Sequence, residues 1–534
     1  MLPPIKREER RWINLVTALV IVLTTIPYFL GLAEGNGEWV FSGFLFGVKD
    51  GNSYLAKMLR GYAGEWFFTT PYTAGVQEGV IANLPYLLIG KLSSPPAQHL
   101  QLIILYHGFR VLGLIFLVRI YEGFLDRFLT GRNIKRWALI LVLFGGGLGW
   151  ITLLIGRPDW LEWLPLSFYS PETFGFLALY GIPHLIFSRG FLLWGLLKLA
   201  EGDDLRSGAA AGIYWLIMAF FQPLNVAAAW MITGSYGVCL LVRDGLRKKD
   251  PAPAEKYFSR KQAYRLLLAW GITLPIVLYY GLIYRTDMFS GWQAQNMVLT
   301  PGMGDYLLAY GLMLPAAAAF LIRRASEGFS RTEWLLIAWL GVLPLMINFP
   351  INTQRRLADG AWAALVTMAA LYLDRPEGSP GRILRWSWLL AFPPAAVLLV
   401  GGAINALNPA QPIFVPQQEV KAYLFLKEVS GKEDRVLSAF ETGNALPAWA
   451  PVYVVLGHPV ETIRFQETSQ RVEAFYRGDM SEAEMTGLLN DLSIDYVFWG
   501  PAEKELADGI ELAHHCLIRA YGDQYQIYRV DCPK

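Results

Sequence analysis

Charged side chains that stand beside apolar segments are the residues of this chain best suited to chemistry. Asp50 follows an apolar run within VKDGNSYLAKM, and Glu172 stands in SPETF. Arg355 and Arg356 are neighbours in NTQRRLADG. A carboxylate can take a proton from an attacking hydroxyl, and the guanidinium fork of arginine matches a phosphate group. These residue types indicate proton transfer next to an anionic group.

Each of these residues also has a structural explanation. Asp50 precedes a glycine, which is typical of a turn, and it is a suitable cap for a helix over 53–66. Glu172 could cap the apolar helix that follows it, and Asp159 and Glu162 are less favoured alternatives as a second acid. The two arginines could hold ordinary lipid headgroups.

Four further polar residues are candidates for a weaker role. His184 lies within an apolar segment, where an ionisable group is costly and suggests function, although a residue near a helix end can reach the headgroups. Asn296 lies in the polar segment 285–304, and with His184 it is a candidate for substrate binding. His458 and Glu461, in GHPVET, could form a site, but a histidine beside glycine and proline is more typical of a turn.

The composition places these residues in a membrane protein. Of 534 residues, 54% are hydrophobic and only 17% are charged, whereas soluble domains carry about 25% charge. Residues 405–534 hold 11 Lys/Arg against 19 Asp/Glu, and residues 1–404 hold 35 against 25. The chain therefore has an apolar, basic first part and an acidic second part that is typical of a water-soluble domain.

Apolar runs of about 20 residues predict membrane-spanning helices. Eleven are expected, at 12–32, 99–118, 137–155, 174–199, 208–222, 225–242, 265–284, 305–322, 334–349, 357–373 and 386–404. Loops rich in Lys and Arg gather on the cytoplasmic side of a membrane. If segment 73–92 does not cross the membrane, the basic loops of this chain, including those with Lys6, Lys248 and Lys249, all lie on the cytoplasmic side. This predicts a multi-pass protein of the cell membrane with its N-terminus cytoplasmic and its C-terminus extracytoplasmic. Arg110 and Arg189 lie inside predicted spans and could reach the headgroups.

The predicted architecture has two domains. Residues 1–404 form the transmembrane module, with a large external loop over 33–98. Within this loop an apolar stripe that includes Tyr54, Met58 and Tyr62 predicts an amphipathic helix at the membrane interface, with Lys57 and Arg60 off the stripe. Residues 405–534 form the second domain. Within it, residues 415–534 alternate short strands and helices, which predicts a small extracytoplasmic α/β domain. The expected strands are 435–440, 452–456, 494–499 and 524–530, and the expected helices are 471–476 and 481–492.

Several classes of protein lack support in the sequence. There is no GxxxxGK[ST] loop for a nucleotide-driven pump, and neither HExxH nor a CxxC pair for a familiar zinc site. No basic patch with interleaved aromatic residues lies outside the membrane segments, so nucleic acid is not an expected partner. Two of the three cysteines, Cys516 and Cys532, lie in the predicted external domain, where a disulfide could form.

The arrangement of these features resembles the GT-C superfamily of integral-membrane glycosyltransferases. One span is followed by an exported acid and an amphipathic helix, then by many spans and a C-terminal external domain. The likeness is greatest to protein O-mannosyltransferase-like and aminoarabinose transferase-like members. It covers essentially the whole chain, although many members have two adjacent acids where this chain has Asp50 between Lys49 and Gly51.

The resemblance implies a glycosyltransferase that uses a polyprenyl-phosphate-linked sugar and transfers a hexosyl or pentosyl group. The acceptor would be an extracytoplasmic glycan, lipid or protein, and membrane lipids would be further partners. Asp50 is then the expected catalytic base, Glu172 the second catalytic acid, and Arg355 and Arg356 the groups that bind the donor phosphate. The resemblance implies no certain cofactor, and a divalent metal is one option.

Two readings from other classes stay open. Proline-interrupted spans, such as the one broken at Gln222-Pro223, also occur in transporters, so a flippase for a lipid-linked sugar is one alternative. The missing acidic pair leaves a non-catalytic assembly subunit of surface polysaccharide synthesis as the other.

Overall fold

A computed structural model describes residues 7–247, 256–374 and 386–532. The basic residues Lys6, Lys248 and Lys249 lie outside these ranges. The protein is mostly helical, with a small C-terminal sheet region. The described residues pack into two compact units, and each unit draws on several stretches of the chain. The first unit comprises 1–25, 109–282 and 298–401, and the second comprises 26–108, 283–297 and 402–534.

The helices differ widely in length. In chain order they are α1 (Arg7–Glu34), α2 (Val48–Tyr62), α3 (Leu84–Gly90), α4 (Gln98–Phe128), α5 (Arg132–Phe144), α6 (Trp150–Leu154), α7 (Leu166–Tyr169), α8 (Gly175–Gly181), α9 (Pro183–Glu201), α10 (Leu205–Ala219), α11 (Leu224–Arg247), α12 (Arg260–Ile283), α13 (Asp287–Gln295), α14 (Met303–Tyr310), α15 (Leu314–Glu327), α16 (Glu333–Ile347), α17 (Ala361–Leu373), α18 (Pro393–Leu407), α19 (Gln417–Val429), α20 (Phe440–Ala445), α21 (Phe465–Arg477), α22 (Glu482–Asp491) and α23 (Pro501–Ala507).

Five helical segments within the described ranges are long and apolar enough to cross a bilayer. They are Glu8–Glu34, Gln98–Phe128, Leu224–Leu246, Arg260–Ile283 and Trp388–Leu407. A sixth crossing results if α14 and α15, which meet at 79°, count as one broken span. The predicted multi-pass helical class agrees with these helices, whereas the count of about eleven spans is not confirmed.

Glycine and proline interrupt two of the apolar segments that were each predicted as one membrane-spanning helix. The run 137–155 breaks after α5 at three consecutive glycines, and a Cβ on Gly147 would lie 2.5 Å from the Cα of Ala309. Close packing of the backbone therefore requires glycine there. The run 174–199 breaks at Pro183, which begins α9, because proline cannot continue the hydrogen-bond ladder of the preceding helix.

The core of the first unit is a single apolar cluster of helix faces. Its largest fully buried side chains include Trp215, Trp339 and Trp388. Polar side chains are also buried in this unit. Arg110 is fully buried and donates to Thr24 Oγ1 at 2.9 Å, to Thr25 Oγ1 at 2.9 Å and to the Leu179 carbonyl at 3.2 Å. Arg110 therefore bonds within the protein, which corrects the reading that it reaches lipid headgroups.

The second unit contains two sheets. Its strands are β1 (Trp39–Phe41), β2 (Phe414–Pro416), β3 (Arg435–Leu437), β4 (Tyr453–Val454), β5 (Tyr496–Trp499), β6 (Leu517–Tyr521) and β7 (Gln526–Val530). β1 and β2 form an antiparallel pair, and the five-stranded sheet has the order β4-β3-β5-β7-β6. β3 runs parallel to β4 and β5, and the remaining pairings are antiparallel. Cys516 and Cys532 form a disulfide beside this sheet.

Helix α2 is buried on almost every side within the second unit. Leu55 and Met58 belong to the same apolar cluster as Val454 and Phe498 of the sheet. A Cβ on Gly61 would lie 2.0 Å from the Leu87 carbonyl oxygen, so glycine is what lets α2 and α3 pack closely. Lys57 and Arg60 were expected off the buried stripe, yet the structure buries both. The spacing of apolar residues in α2 predicted one buried face of this helix. In the structure, other parts of the second unit cover its remaining faces as well.

Candidate active site

Asp50 occupies the first turn of α2 in the second unit. Gly47, which precedes the helix, adopts a left-handed conformation with φ of 56°, so the chain turns sharply before Asp50. The Asp50 side chain is 66% exposed, whereas that of His458 is 7% exposed. His458 Nε2 lies 3.3 Å from Asp50 Oδ1. The exposed carboxylate therefore rests on a buried imidazole from a residue 408 positions later in the chain.

A buried ion pair lies beside this contact. Lys57 Nζ is 2.7 Å from Glu461 Oε1, and both side chains are 4% exposed. Ser53 and Thr70 hydroxyls donate to the two oxygens of the same carboxylate, at 2.6 and 2.8 Å. Burial alone would raise the pKa of Glu461, but the charge of Lys57 and the hydrogen bonds from Lys57 and Ser53 hold this pKa below its ordinary value. Glu461 is therefore an anion that anchors the turn carrying His458.

Asn444 fixes the first turn of α2 from the opposite side. Its Nδ2 donates to the Lys49 carbonyl at 3.3 Å and to the Gly457 carbonyl at 2.8 Å. Its Oδ1 accepts from Asn52 Nδ2 at 2.9 Å. One amide thus joins the residues on either side of Asp50 to the turn that begins at Gly457.

Asn296 also lies in the second unit, directly after α13. Its neighbour Gln295 makes the contacts that hold this helix to the His458 turn. Gln295 Nε2 donates to the carbonyls of Pro459, Val460 and Thr462 at 3.3, 3.2 and 2.8 Å. Sequence analysis selected Asn296 and missed Gln295, because a glutamine in a polar segment carries no signal of such a partner.

The first unit brings Glu172 and Arg356 together. Arg356 Nε lies 3.7 Å from Glu172 Oε1, and the Glu172 side chain is buried. Ser170 Oγ donates to Glu172 Oε2 at 3.5 Å. The two residues are far apart in sequence, and their expected roles, a second catalytic acid and a donor phosphate-binding group, stay predictions.

Arg355 stands beside this pair on a 3-10 helix, Gln354–Ala358. Its guanidinium carbon lies 4.7 Å from the centre of the Tyr169 ring. Its Nε is buried and has no hydrogen-bonding partner among the described residues. A buried donor without a partner is costly, so this nitrogen is suited to an anionic acceptor supplied by a ligand.

Glu172, Arg355 and Arg356 together are called the arginine site below. A buried ion pair supports the two segments of the chain that carry these residues. Asp359 Oδ1 accepts from Arg189 Nε at 2.6 Å, and Asp359 Oδ2 accepts from Asn225 Nδ2 at 2.6 Å. Arg189 also donates to the Pro171 carbonyl at 2.5 Å, next to Glu172. Arg189 is buried in the protein, which corrects the reading that it reaches the headgroups.

His184 lies in the first turn of α9, the helix that also carries Arg189. It therefore belongs to the element that supports the arginine site. Its expected role in substrate binding stays a prediction.

Within the described ranges, one cluster of at least three side chains has the spacing of metal ligands. This cluster consists of His514, His515 and Cys516, whose ligand atoms lie within 4.8 Å of one another. Cys516 is bonded to Cys532, so it offers no thiolate to a metal.

Comparisons with known proteins identify the fold. No protein-family model and no curated protein matches the sequence. Among solved structures, the apo oligosaccharyltransferase of Archaeoglobus fulgidus is similar, with a TM-score of 0.52 and 13% identity over 92% of this chain and 70% of that chain. The same archaeal protein in a complex with Zn and sulfate has a TM-score of 0.45, at 13% identity over 89% and 67% of the two chains. Its complex with an inhibitory peptide and a dolichol-phosphate also has a TM-score of 0.45, at 13% identity over 90% and 69%. At 13% identity the likeness to the apo structure shows the fold alone, and that fold agrees with the expected resemblance.

Proposed function

We propose that this protein is a membrane glycosyltransferase that moves a sugar from a polyprenyl-phosphate donor to an extracytoplasmic acceptor. The observation that carries the proposal is Asp50, an exposed carboxylate at the start of an otherwise buried helix, in a chain with a GT-C fold. The archaeal protein with a similar fold is an oligosaccharyltransferase. Proteins of similar fold can differ in activity, so the site residues have to support the chemistry.

The proposed reaction needs one base and one stabilised leaving group. The acceptor oxygen forms a bond to the anomeric carbon while the bond from that carbon to the phosphate oxygen breaks. The electron pair of the broken bond goes to polyprenyl phosphate, and the hydroxyl proton goes to the Asp50 carboxylate. The anomeric centre passes through an oxocarbenium-like state.

Arg355 and Arg356 are the groups we assign to the donor phosphate. The partnerless Nε of Arg355 and the ion pair of Arg356 with Glu172 support this assignment. Arginine can bind phosphate through two parallel hydrogen bonds. The catalytic role expected of Glu172 stays a prediction, while its contact supports a role in orienting Arg356.

The direct test uses purified protein in lipid and a panel of polyprenyl-phosphate sugars. The panel includes hexosyl, pentosyl and oligosaccharyl donors, and the assay follows the release of free polyprenyl phosphate. Wild type is compared with Asp50→Asn, and with Asp523→Asn as a matched control, since Asp523 is fully exposed in the second unit. We expect release that Asp50→Asn slows by about 10²- to 10⁴-fold and that Asp523→Asn leaves unchanged.

Other outcomes separate the alternatives. Movement of an intact lipid-linked sugar across the bilayer, without release, would identify a flippase. A folded protein that neither releases nor moves any donor would favour a non-catalytic assembly subunit. The expected option of a divalent metal is tested in the same assay by adding EDTA and then restoring Mg²⁺ or Mn²⁺.

A further inference from the structure

We infer that His458 is a positioning residue for Asp50, fixing the carboxylate through one hydrogen bond and keeping its own proton throughout the reaction. The inference rests on the proposed function, because it gives the proposed base a partner. It gives Asp50 a partner from the C-terminal region of the chain, which the sequence did not connect with Asp50.

Two backbone groups determine the tautomer of His458. The N–H groups of Val460 and Glu461 both donate to His458 Nδ1 at 3.3 Å. A neutral imidazole has one accepting and one donating nitrogen. Because Nδ1 accepts, the proton resides on Nε2, which faces Asp50 Oδ1 at 3.3 Å. The imidazole is therefore arranged to donate to the carboxylate.

The turn that carries His458 is restrained from several directions. Thr462 Oγ1 accepts from the backbone N–H groups of Gly457 and His458, both at 3.2 Å. Glu461 is bound by Lys57, and Gln295 donates to three carbonyls of the turn. The imidazole is also enclosed, with the Tyr72 ring centre 5.5 Å from its own. It is thus a rigid donor rather than a mobile surface group.

This rigidity has a consequence for Asp50. An aspartate side chain has several staggered rotamers available, and the contact with His458 favours the one that brings Oδ1 to Nε2. Fixing Oδ1 on His458 removes that freedom before the acceptor binds. Misplacement of a catalytic group by about 1 Å can cost on the order of 100-fold in rate. His458 would therefore act on kcat through the orientation of the base.

A double-mutant cycle tests this coupling. The variants are His458→Ala, His458→Gln, Asp50→Asn and the double variant Asp50→Asn with His458→Ala. We expect His458→Ala to lower kcat by about 10- to 100-fold, with the KM for the donor changed by less than about twofold. His458→Gln, whose amide can still donate, should recover part of the loss. The His458 substitution should have no further effect in the Asp50→Asn background.

A merely structural role predicts a different pattern. Losses that multiply in the double variant, or a glutamine variant no better than alanine, would overturn the inference. Size-exclusion profiles and thermal unfolding of each variant establish that it is folded. If no donor supports Asp50-dependent release, the proposed function fails, and the positioning role falls with it.

A spectroscopic measurement keeps the hydrogen bond testable apart from activity. The chain has six histidines, and ¹⁵N labelling of histidine with the His458→Gln variant assigns the His458 signals. We expect protonated Nε2 and unprotonated Nδ1, with the Nε2 resonance shifted by Asp50→Asn. A protonated Nδ1, or a resonance indifferent to Asp50→Asn, would contradict the inference even in an active enzyme.

Discussion

Arg355 and Arg356 differ in their surroundings although they are adjacent. Arg356 pairs with Glu172, whereas Arg355 lies over the Tyr169 ring with a partnerless Nε. Both should bind donor phosphate through charge-assisted hydrogen bonds, each worth about 1.5–3 kcal/mol. We therefore expect Arg355→Ala and Arg356→Ala each to reduce kcat/KM for the donor by about 10- to 100-fold.

Lysine variants separate the charge from the geometry of these arginines. Arg355→Lys and Arg356→Lys keep the charge but lose the fork, so they should recover only part of the activity. Arg477→Ala is the matched control, because Arg477 is half exposed and pairs only with Glu473 among the contacts of the described residues. Equal kinetics for wild type and both alanine variants would remove the phosphate-binding assignment.

Glu419 predicts a pH dependence of stability in the second unit. Burial raises the pKa of Glu419 to about 7, a nearby Glu503 adds to the rise, and a hydrogen bond from Tyr423 opposes it. The folded state therefore holds this proton more tightly than the unfolded state does. Stability should fall as the pH rises from about 4.5 to about 7, by roughly 3 kcal/mol in all.

The variant Glu419→Gln tests this dependence, since glutamine cannot ionise and can still accept from Tyr423. Its free energy of unfolding should vary less between pH 5 and pH 7.5 than that of wild type, measured by denaturant unfolding in detergent. A wild-type stability that rises over this interval, or a slope that Glu419→Gln leaves unchanged, would show that another group controls the titration.

Among elements, the segments that carry Glu172 and the two arginines depend on a buried ion pair. Arg189 on α9 binds both Asp359 and the Pro171 carbonyl, so it links the end of one segment to the start of α17. Removing one partner of a buried pair leaves the other charge uncompensated, which costs about 3–5 kcal/mol. We expect Asp359→Ala to destabilise the protein by this amount and to raise the KM for the donor.

The conservative variant Asp359→Asn is the control for this prediction. Asparagine keeps the size and an acceptor for Arg189 but loses the charge, so its donor KM should lie between those of wild type and Asp359→Ala. Thermal unfolding and donor kinetics together provide the measurement. Unchanged donor kinetics in a destabilised Asp359→Ala protein would show that the pair supports the fold and not the arginine site.

Local patterns predicted the short elements of the C-terminal region well. The expected strands at 435–440, 452–456, 494–499 and 524–530 each contain an observed strand, and the expected helices at 471–476 and 481–492 overlap α21 and α22. Strand β6 and helix α19 were missed. The long apolar runs were less informative, because hydropathy does not show where glycine or proline divides a run into two helices.

The partners of the site residues could not be predicted in the same way. Asp50 was selected from its local context, but His458 lies 408 positions away. The sequence around His458 favours a turn over a site, and it does not link this residue to Asp50. Lys57 likewise occupies a polar position in an amphipathic pattern, and its partner Glu461 lies in the C-terminal region of the chain. Patterns in a single sequence indicate which residues share a face of a helix or strand. Contacts between segments that are distant in sequence can be identified only once the fold is known.

For the whole molecule, the orientation of the chain in the membrane stays a prediction with a direct test. Basic connectors place residue 130 in the cytoplasm and residue 420 outside it. The disulfide between Cys516 and Cys532 agrees with an oxidising compartment for the C-terminal region. Reporter fusions at 130 and 420 should give opposite compartments, and the same compartment for both would refute the orientation.

The two compact units divide the chain in a way that its linear composition does not reveal. The second unit combines residues 26–108, 283–297 and 402–534, so the segment predicted to be the first external loop and the acidic C-terminal region share one core. The predicted domains, 1–404 and 405–534, follow composition along the sequence and stay a prediction. The site at Asp50 requires both parts, because His458 and Glu461 come from the later one.

The central claim is that Asp50 is the base in a sugar transfer from polyprenyl phosphate. Its most direct test measures glycosylated acceptor and free polyprenyl phosphate together, in wild type and Asp50→Asn protein reconstituted in lipid. We predict equal amounts of the two products in wild type and a rate lower by about 10²- to 10⁴-fold in Asp50→Asn, the range for loss of a general base. Transfer at the wild-type rate by folded Asp50→Asn protein would contradict the account.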